Sequence, residues 1–207
     1  MSEPSTAVRT SIAEPPVQPD PTIADPAPLG LAAFALTTFI LSLANANVYP
    51  TAAAAAVYTA LAYGGAVQLL AGMWEFKRAN TFGATAFASY GGFWISVFFL
   101  VQVGHVNPSD PVNASLMGTF FLGWTIFTAY MTIASLRVSA AVLLVFVLLT
   151  VTFVLLTIGS FQTKSSLIHA GGWVGVATAA AAWYASFAGV TNSTFRRTVL
   201  PVVPLGR

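Results

Sequence analysis

Hydrophobic positions in this chain fall into six long blocks, each separated from the next by a short polar connection. A helix that crosses the hydrocarbon of a bilayer needs about 20 consecutive, mostly apolar residues. The blocks reach that length and cover roughly residues 28–47, 53–74, 82–104, 114–136, 138–159 and 166–189. The pattern predicts an all-α polytopic membrane protein with six transmembrane helices.

The two ends of the chain lie outside this pattern. The first 24 residues contain five prolines and few large apolar side chains, so they cannot bury enough surface to offset the ordering of their backbone. They also lack the basic start and apolar stretch of a secretory signal peptide. We expect a disordered Pro-rich tail over 1–24, a transmembrane domain over 25–195 and a C-terminal tail over 196–207.

Basic residues predict the orientation, because Lys and Arg concentrate in cytoplasmic loops. With six spans both termini lie on one side, and seven of the eight basic residues fall on that side. They are Arg9, Lys77, Arg78, Arg137, Arg196, Arg197 and Arg207, whereas Lys164 falls alone on the other. We therefore expect a multi-pass membrane protein with both tails in the cytoplasm.

Composition narrows the chemistry further. Only 7% of residues are charged, against about 25% in soluble domains, so the lipid bilayer is the expected surroundings. The absence of cysteine excludes disulfides, thiolate metal sites and cysteine nucleophiles. A net charge of +2 does not indicate a nucleic-acid surface.

Charges are expected only at span ends and in turns. The charged residues concerned are Glu75, Lys77, Arg78, Asp110, Arg137 and Lys164. A deep carboxylate relay or a buried arginine clamp is therefore not expected. Hydroxyls, amides and helix N-termini would have to replace the water of a passing anion.

Polar side chains recur at helical spacing in the third and fourth spans. In the third span Thr85, Ser89 and Ser96 share one face with Gly92. In the fourth span one face carries Thr125, Thr128, Thr132 and Ser135. Such hydroxyls either bond to their own helix and to neighbouring helices or line a pathway. Asn45 and Gln68 are amides near or inside spans, and Asn80-Thr81 offers a cap at the start of the third span. The residues that we place on the route of a small solute are Asn45, Gln68, Asn80, Thr81, Thr85, Ser89 and Thr128.

Glycines at Gly171 and Gly175 form a small-xxx-small pair in the last span. In lipid, such pairs let helix backbones approach closely. The pair either packs inside one bundle or joins two protomers.

An enzyme is not expected, because the chain has no nucleophile triad, phosphate loop or metal motif. His105 and His169, without clustered carboxylates, make a poor metal or haem site, and no cofactor is expected. Two function classes remain: a pathway for a small solute, and a haem-binding or assembly-partner membrane protein.

Three segments resemble the acetate uptake transporter family. The first is Asp25-Pro26-Ala27-Pro28-Leu29-Gly30-Leu31, similar to the family's Asn-Pro-Ala-Pro-Leu-Gly-Leu signature with Asp25 in place of Asn. The second runs from Gly64-Gly65 through Gln68 and Gly72 into Trp74–Trp94, with its Asn-Thr-Phe-Gly element. The third is Phe195-Arg196-Arg197-Thr198-Val199-Leu200-Pro201. The resemblance extends from Asp25 to about Pro201.

The resemblance implies six-helix protomers assembled as homohexamers, with one pathway in each protomer. It implies a hydrophobic constriction at Phe34, Tyr90 and Leu149; periodicity alone favours Tyr90 but gives no reason to choose Leu149. The expected function is a plasma-membrane transporter or channel for acetate, and for succinate, either coupled to protons or passing the neutral acid. Glu75 is the coupling candidate nearest a span, although Lys77 and Arg78 favour its ionised form. Transport of ammonia or another small neutral solute is the alternative.

Overall fold

The computed structural model describes residues 23–206, and the Pro-rich tail predicted over 1–24 lies almost wholly outside them. Six helices in the described region are long and apolar enough to cross a membrane. They are α1 (Ala27–Asn45), α2 (Ala52–Lys77), α3 (Thr81–Val103), α4 (Pro111–Ser135), α5 (Ala140–Phe161) and α6 (Ser165–Phe195). The predicted all-α, six-span fold is confirmed.

Span ends differ from the prediction where a helix continues past its apolar block. α2 runs to Lys77 rather than 74, which brings Glu75 inside the helix. α6 continues through the polar residues 191–194 and ends at Phe195, and the next residue, Arg196, has a left-handed φ of 52°. Hydropathy marks where apolar residues stop, whereas a helix continues until its backbone bonds are broken or capped.

The helices form one bundle in which α1 packs mainly on α6 and α2, α5 lies between α4 and α6, and α2 packs on α3. The backbones of α3 and α4 approach each other at few positions, and these helices meet mainly through aromatic side chains such as Tyr90 with Phe127 and Phe93 with Phe120. Threonine pairs join neighbouring helices: the Oγ1 atoms of Thr125 and Thr157, and of Thr132 and Thr150, are 2.9 Å apart. These hydroxyls of the predicted fourth-span stripe therefore connect α4 to α5.

Glycines allow close approach at the α2–α3 contact. A side chain at Gly72 would meet the backbone nitrogen of Ala88 at 2.5 Å, and one at Gly91 would meet that of Leu69 at 2.8 Å. α2 also contains a π-helical stretch, Ala60–Val67, immediately before Gln68. A π stretch changes the direction in which the following side chains point.

The Gly171 and Gly175 pair packs inside the bundle. A side chain at Gly175 would collide with Ser42 of α1, and one at Gly171 would lie 3.1 Å from Leu156 of α5. The first of the two interpretations is therefore confirmed, because the pair faces α1 and α5 of its own protomer.

The segment after α6 returns across the end of the bundle at which both described ends of the chain lie. The backbone nitrogens of Ala140 and Ala141 donate to the carbonyls of Val203 and Val202 at 2.9 and 3.3 Å, and Leu205 donates to Val138. These carbonyls cap the start of α5, whose first amides have no partner within the helix. Residues 199–205, called the C-terminal strap below, thus belong to the packed structure.

Candidate functional site

Two cavities lie along the bundle, one towards each end. The termini-side cavity, about 80 Å³, is bounded by α1, α2, α3 and α5 and by the turn before α5. Its walls include Leu31, Phe34, Gln68, Glu75, Asn80, Phe82, Tyr90, Val142, Phe146 and Leu149. The far-side cavity, about 500 Å³, is lined by Leu41, Asn45, Phe93, Asn107, Asp110, Leu156 and His169 among others.

A packed apolar layer separates the cavities. Phe34, Tyr90 and Leu149 form the wall of the termini-side cavity, and all three are buried. Phe93, whose ring centroid lies 5.5 Å from that of Phe153, borders the far-side cavity. Tyr90 and Phe93 are one helical turn apart, so the layer is only about 5 Å thick along α3.

The Tyr90 ring is held on all sides. Its centroid lies 5.7 Å from that of Phe34 and 5.4 Å from that of Phe127. Its hydroxyl is 2.9 Å from the Oγ1 of Thr128, which also donates to the Trp124 carbonyl at 2.7 Å. Thr128 can accept a hydrogen bond from the Tyr90 hydroxyl while it donates one to Trp124, so the Tyr90–Thr128 bond fixes the ring in the layer.

The polar end of the termini-side cavity is built at the α2–α3 turn. Glu75 is 0% exposed, and its Oε2 accepts a bond from Asn80 Nδ2 at 2.8 Å. Asn80 Oδ1 in turn accepts from the Gly83 backbone nitrogen at 3.1 Å and caps α3. Asn80 therefore joins the cap predicted from sequence to a carboxylate inside the bundle.

Glu75 lies in the last turn of α2, which agrees with the expectation that charges lie at span ends and in turns, but its carboxylate is buried. The carboxylate packs against Gly83, where a side chain would lie 2.9 Å from Oε1. Only glycine at this position leaves room for a buried carboxylate. The Asn-Thr-Phe-Gly element thus supplies both the cap and the space.

Arg78 does not pair with Glu75. Its Nη1 lies 2.6 Å from Asp25 Oδ1, and this is the ion pair found among residues 23–206. Asp25 also accepts from the Ala27 backbone nitrogen at 3.1 Å. Arg78, which was expected to favour ionised Glu75, is therefore paired with Asp25 instead. Oε1 of Glu75 has no hydrogen-bond partner in the described region.

The structure brings together some of the predicted pathway residues and separates others. Gln68, Glu75 and Asn80 share the termini-side cavity with the constriction, and Asn45 lines the far-side cavity. Thr81, Thr85 and Ser89 line neither cavity. They precede lining residues of α3 by one position, which turns them about 100° away. Thr128 lies behind Tyr90 and is fully buried.

Several wall residues carry no sequence signal. Phe82 and Phe146, with ring centroids 5.3 Å apart, and Val142 close the cavity from α3 and α5. Val142 and Phe146 look in the sequence like lipid-facing residues, whereas Phe82 belongs to the Asn-Thr-Phe-Gly element but was not expected in the wall. The Asp25–Arg78 pair also escaped prediction, because its partners are 53 residues apart.

The histidines are not gathered with other metal ligands. His169 lines the far-side cavity and His105 is exposed. Within residues 23–206, no group of three His, Cys, Asp or Glu side chains is arranged to hold a metal.

Comparison with known proteins places these features in a family. The chain is 42% identical to Acetate permease A of Emericella nidulans over 89% of its length and 69% of the relative's. It is 38% identical to the succinate-acetate/proton symporter SatP of Escherichia coli K12, over 87% of its length and 95% of the relative's.

A solved structure described as the bacterial acetate channel SatP superposes with a TM-score of 0.81 at 38% identity. The match covers 87% of this chain and 99% of that one. The chain spans only 62% of the length of two Saccharomyces cerevisiae relatives, Accumulation of dyads protein 2 and Ammonia transport outward protein 2, at 45% and 41% identity. A family model matches residues 10–207, and the chain belongs to the GPR1/FUN34/yaaH family.

Proposed function

We propose that this protein moves acetate, and succinate more slowly, across the membrane through the centre of each protomer. The observation that carries the proposal is the layer of Phe34, Tyr90 and Leu149 between two cavities, one of which ends in buried polar groups. An apolar layer one turn thick is a barrier that a small change in side-chain packing opens. The names of the E. nidulans and E. coli relatives supply the substrate class.

The remaining parts of the proposal follow the family resemblance. Six protomers assemble as a hexamer in the plasma membrane, each with its own pathway and both tails in the cytoplasm. The protein transports rather than catalyses. Proton coupling needs either a titratable group on the pathway, for which Glu75 is the candidate, or a substrate that carries its own proton.

Tyr90 offers the direct test, with purified protein in liposomes and labelled acetate or succinate. Tyr90→Ala removes the ring from the layer, so we expect the ratio of succinate to acetate uptake to rise severalfold. Tyr130→Ala is the matched control, because that ring is exposed on α4 and outside both cavities. An unchanged ratio of succinate to acetate uptake in Tyr90→Ala would mean that the constriction lies elsewhere in the protein.

Ammonia is the second candidate, supported by the name of one yeast relative. The same liposomes, loaded with a pH-sensitive dye and given an ammonium gradient, distinguish the two solutes. Alkalinisation faster than in protein-free liposomes, without acetate uptake, would favour ammonia.

A further inference from the structure

Gln68 is a buried amide that has no hydrogen-bond partner among residues 23–206. It lies on α2 directly after the π-helical stretch and lines the termini-side cavity beside Phe34 and Glu75. Its side chain is 1% exposed, and neither Oε1 nor Nε2 has a hydrogen-bond partner in the described region. Buried polar groups are nearly always hydrogen-bonded, because an unmet group loses its water without replacement. A ligand in this cavity would satisfy both atoms.

The chemistry of the amide selects one kind of ligand. Its planar edge places an acceptor next to a donor. A neutral carboxylic acid presents the complementary edge, with its O–H donating to Oε1 and its carbonyl accepting from Nε2. A carboxylate anion has two acceptors, so it would bond to Nε2 and leave Oε1 facing a negative oxygen.

The rest of the cavity also disfavours an anion. The titratable groups that line it are Glu75 of α2 and Tyr90 of α3, and neither is a cation. Arg78 is engaged by Asp25, while Lys77 and Arg137 are exposed at the ends of their elements. The remaining walls are mainly aliphatic and aromatic. A charged carboxylate there would lie near Glu75 in a poorly solvated space.

The size of the cavity fits a small acid. A buried water needs about 10–15 Å³ of such volume, so 80 Å³ corresponds to about five to eight water-sized groups. Acetic acid has four non-hydrogen atoms and fits within this space. Succinic acid has eight and would reach the upper end of the range.

We propose that Gln68 binds the neutral form of the carboxylic acid through a pair of hydrogen bonds between amide and acid. The inference rests on the proposed function and names the protonation state that the site accepts. The substrate then brings its own proton, and no protein side chain has to carry one past the layer.

Acetamide is the probe, because it presents a carbonyl and an N–H on one edge and does not titrate near neutral pH. We expect it to inhibit uptake of labelled acetate into liposomes with the same inhibition constant from about pH 5.5 to about pH 7.5, an interval that lies wholly above the ordinary carboxyl pKa. Over that interval the KM for total acetate should rise about tenfold per pH unit, because the neutral fraction falls by that factor.

Gln68→Leu removes both hydrogen bonds at similar volume. We expect it to weaken acetamide inhibition by roughly ten- to a hundredfold, the equivalent of two lost hydrogen bonds. Gln162→Leu is the control, since Gln162 is exposed beyond the end of α5. Gln68→Met serves if the leucine variant does not fold, which circular dichroism and gel filtration would reveal.

Two results would overturn the proposal. One is wild-type uptake that saturates with acetate yet is unaffected by acetamide. The other is acetamide inhibition of equal strength in wild type and in a folded Gln68 variant. Failure of the proposed function looks different: the wild type would then take up no more acetate than protein-free liposomes.

Discussion

At Glu75 a carboxylate is buried with one oxygen bonded to Asn80, while the other has no hydrogen-bond partner in the part of the chain that the structure describes. Removing a carboxylate from water costs several kcal/mol unless nearby groups replace the lost interactions. Asn80 replaces part of them, and Arg78 is bonded to Asp25 instead. The residue joins the end of α2 to the cap of α3 while also bordering the substrate cavity.

If the acid itself carries the proton, Glu75 is an anchor and not the coupling site. Glu75→Gln keeps an oxygen that accepts from Asn80, so we expect uptake to retain its dependence on an inward proton gradient. Glu75→Ala loses that bond and leaves a space beside Gly83, and we expect it to lower stability by about 1–3 kcal/mol. Uptake with and without a pH gradient, together with thermal unfolding, measures both effects.

A Glu75→Gln variant that transports but ignores the gradient would contradict this expectation. It would identify Glu75 as the proton acceptor. Asp110→Asn provides a comparison, because Asp110 borders only the far-side cavity and caps the short helix at the start of α4.

The C-terminal strap shows how one element positions another. It caps α5, which carries Leu149 and three other wall residues of the cavity. Asn192 at the end of α6 holds the strap with three bonds: it donates to the Leu200 carbonyl and accepts from the backbone nitrogens of Val199 and Leu200. Val203 has a φ of 50°, a conformation that a β-branched residue adopts only under constraint.

Loss of the Asn192 bonds should release the strap. We expect Asn192→Leu to lower the free energy of unfolding by about 1–3 kcal/mol, and to increase hydrogen exchange at Ala140 and Ala141. Thr194→Val is the control, because the Thr194 hydroxyl bonds only to its own helix at Val190. Equal exchange at α5 in both variants would mean that the strap is held by other contacts.

On the scale of the whole molecule, the six spans bring both described ends of the chain to one end of the bundle. The side of the membrane on which that end lies follows from the basic residues. The exposed apolar side chains, such as Ile126, Ile133 and Phe187, remain for lipid or for neighbouring protomers.

The orientation is open to direct measurement, because the chain has no cysteine of its own. Lys164→Cys should react with a membrane-impermeant maleimide on intact cells. Arg207→Cys should react only after permeabilisation. Labelling of position 207 in intact cells would reverse the predicted orientation.

The sequence by itself determined the membrane class and the number of spans. These depend on properties of single segments, since each block is long enough to cross the bilayer and satisfies its own backbone as a helix. The family signatures further led to Phe34, Tyr90 and Leu149, which the structure brings to one cavity.

Only the tertiary structure decided which face of each helix turns inward. Lipid is as apolar as the bundle interior, so hydrophobicity does not distinguish the two sides of a membrane helix. Polar Thr85 and Ser89 therefore looked like pathway residues, yet apolar Ala86 and Phe87 line the cavity. In the sequence Glu75 looks like part of a turn. It is buried because α2 and α3 pack around it, and that packing cannot be read from the hydrophobic pattern.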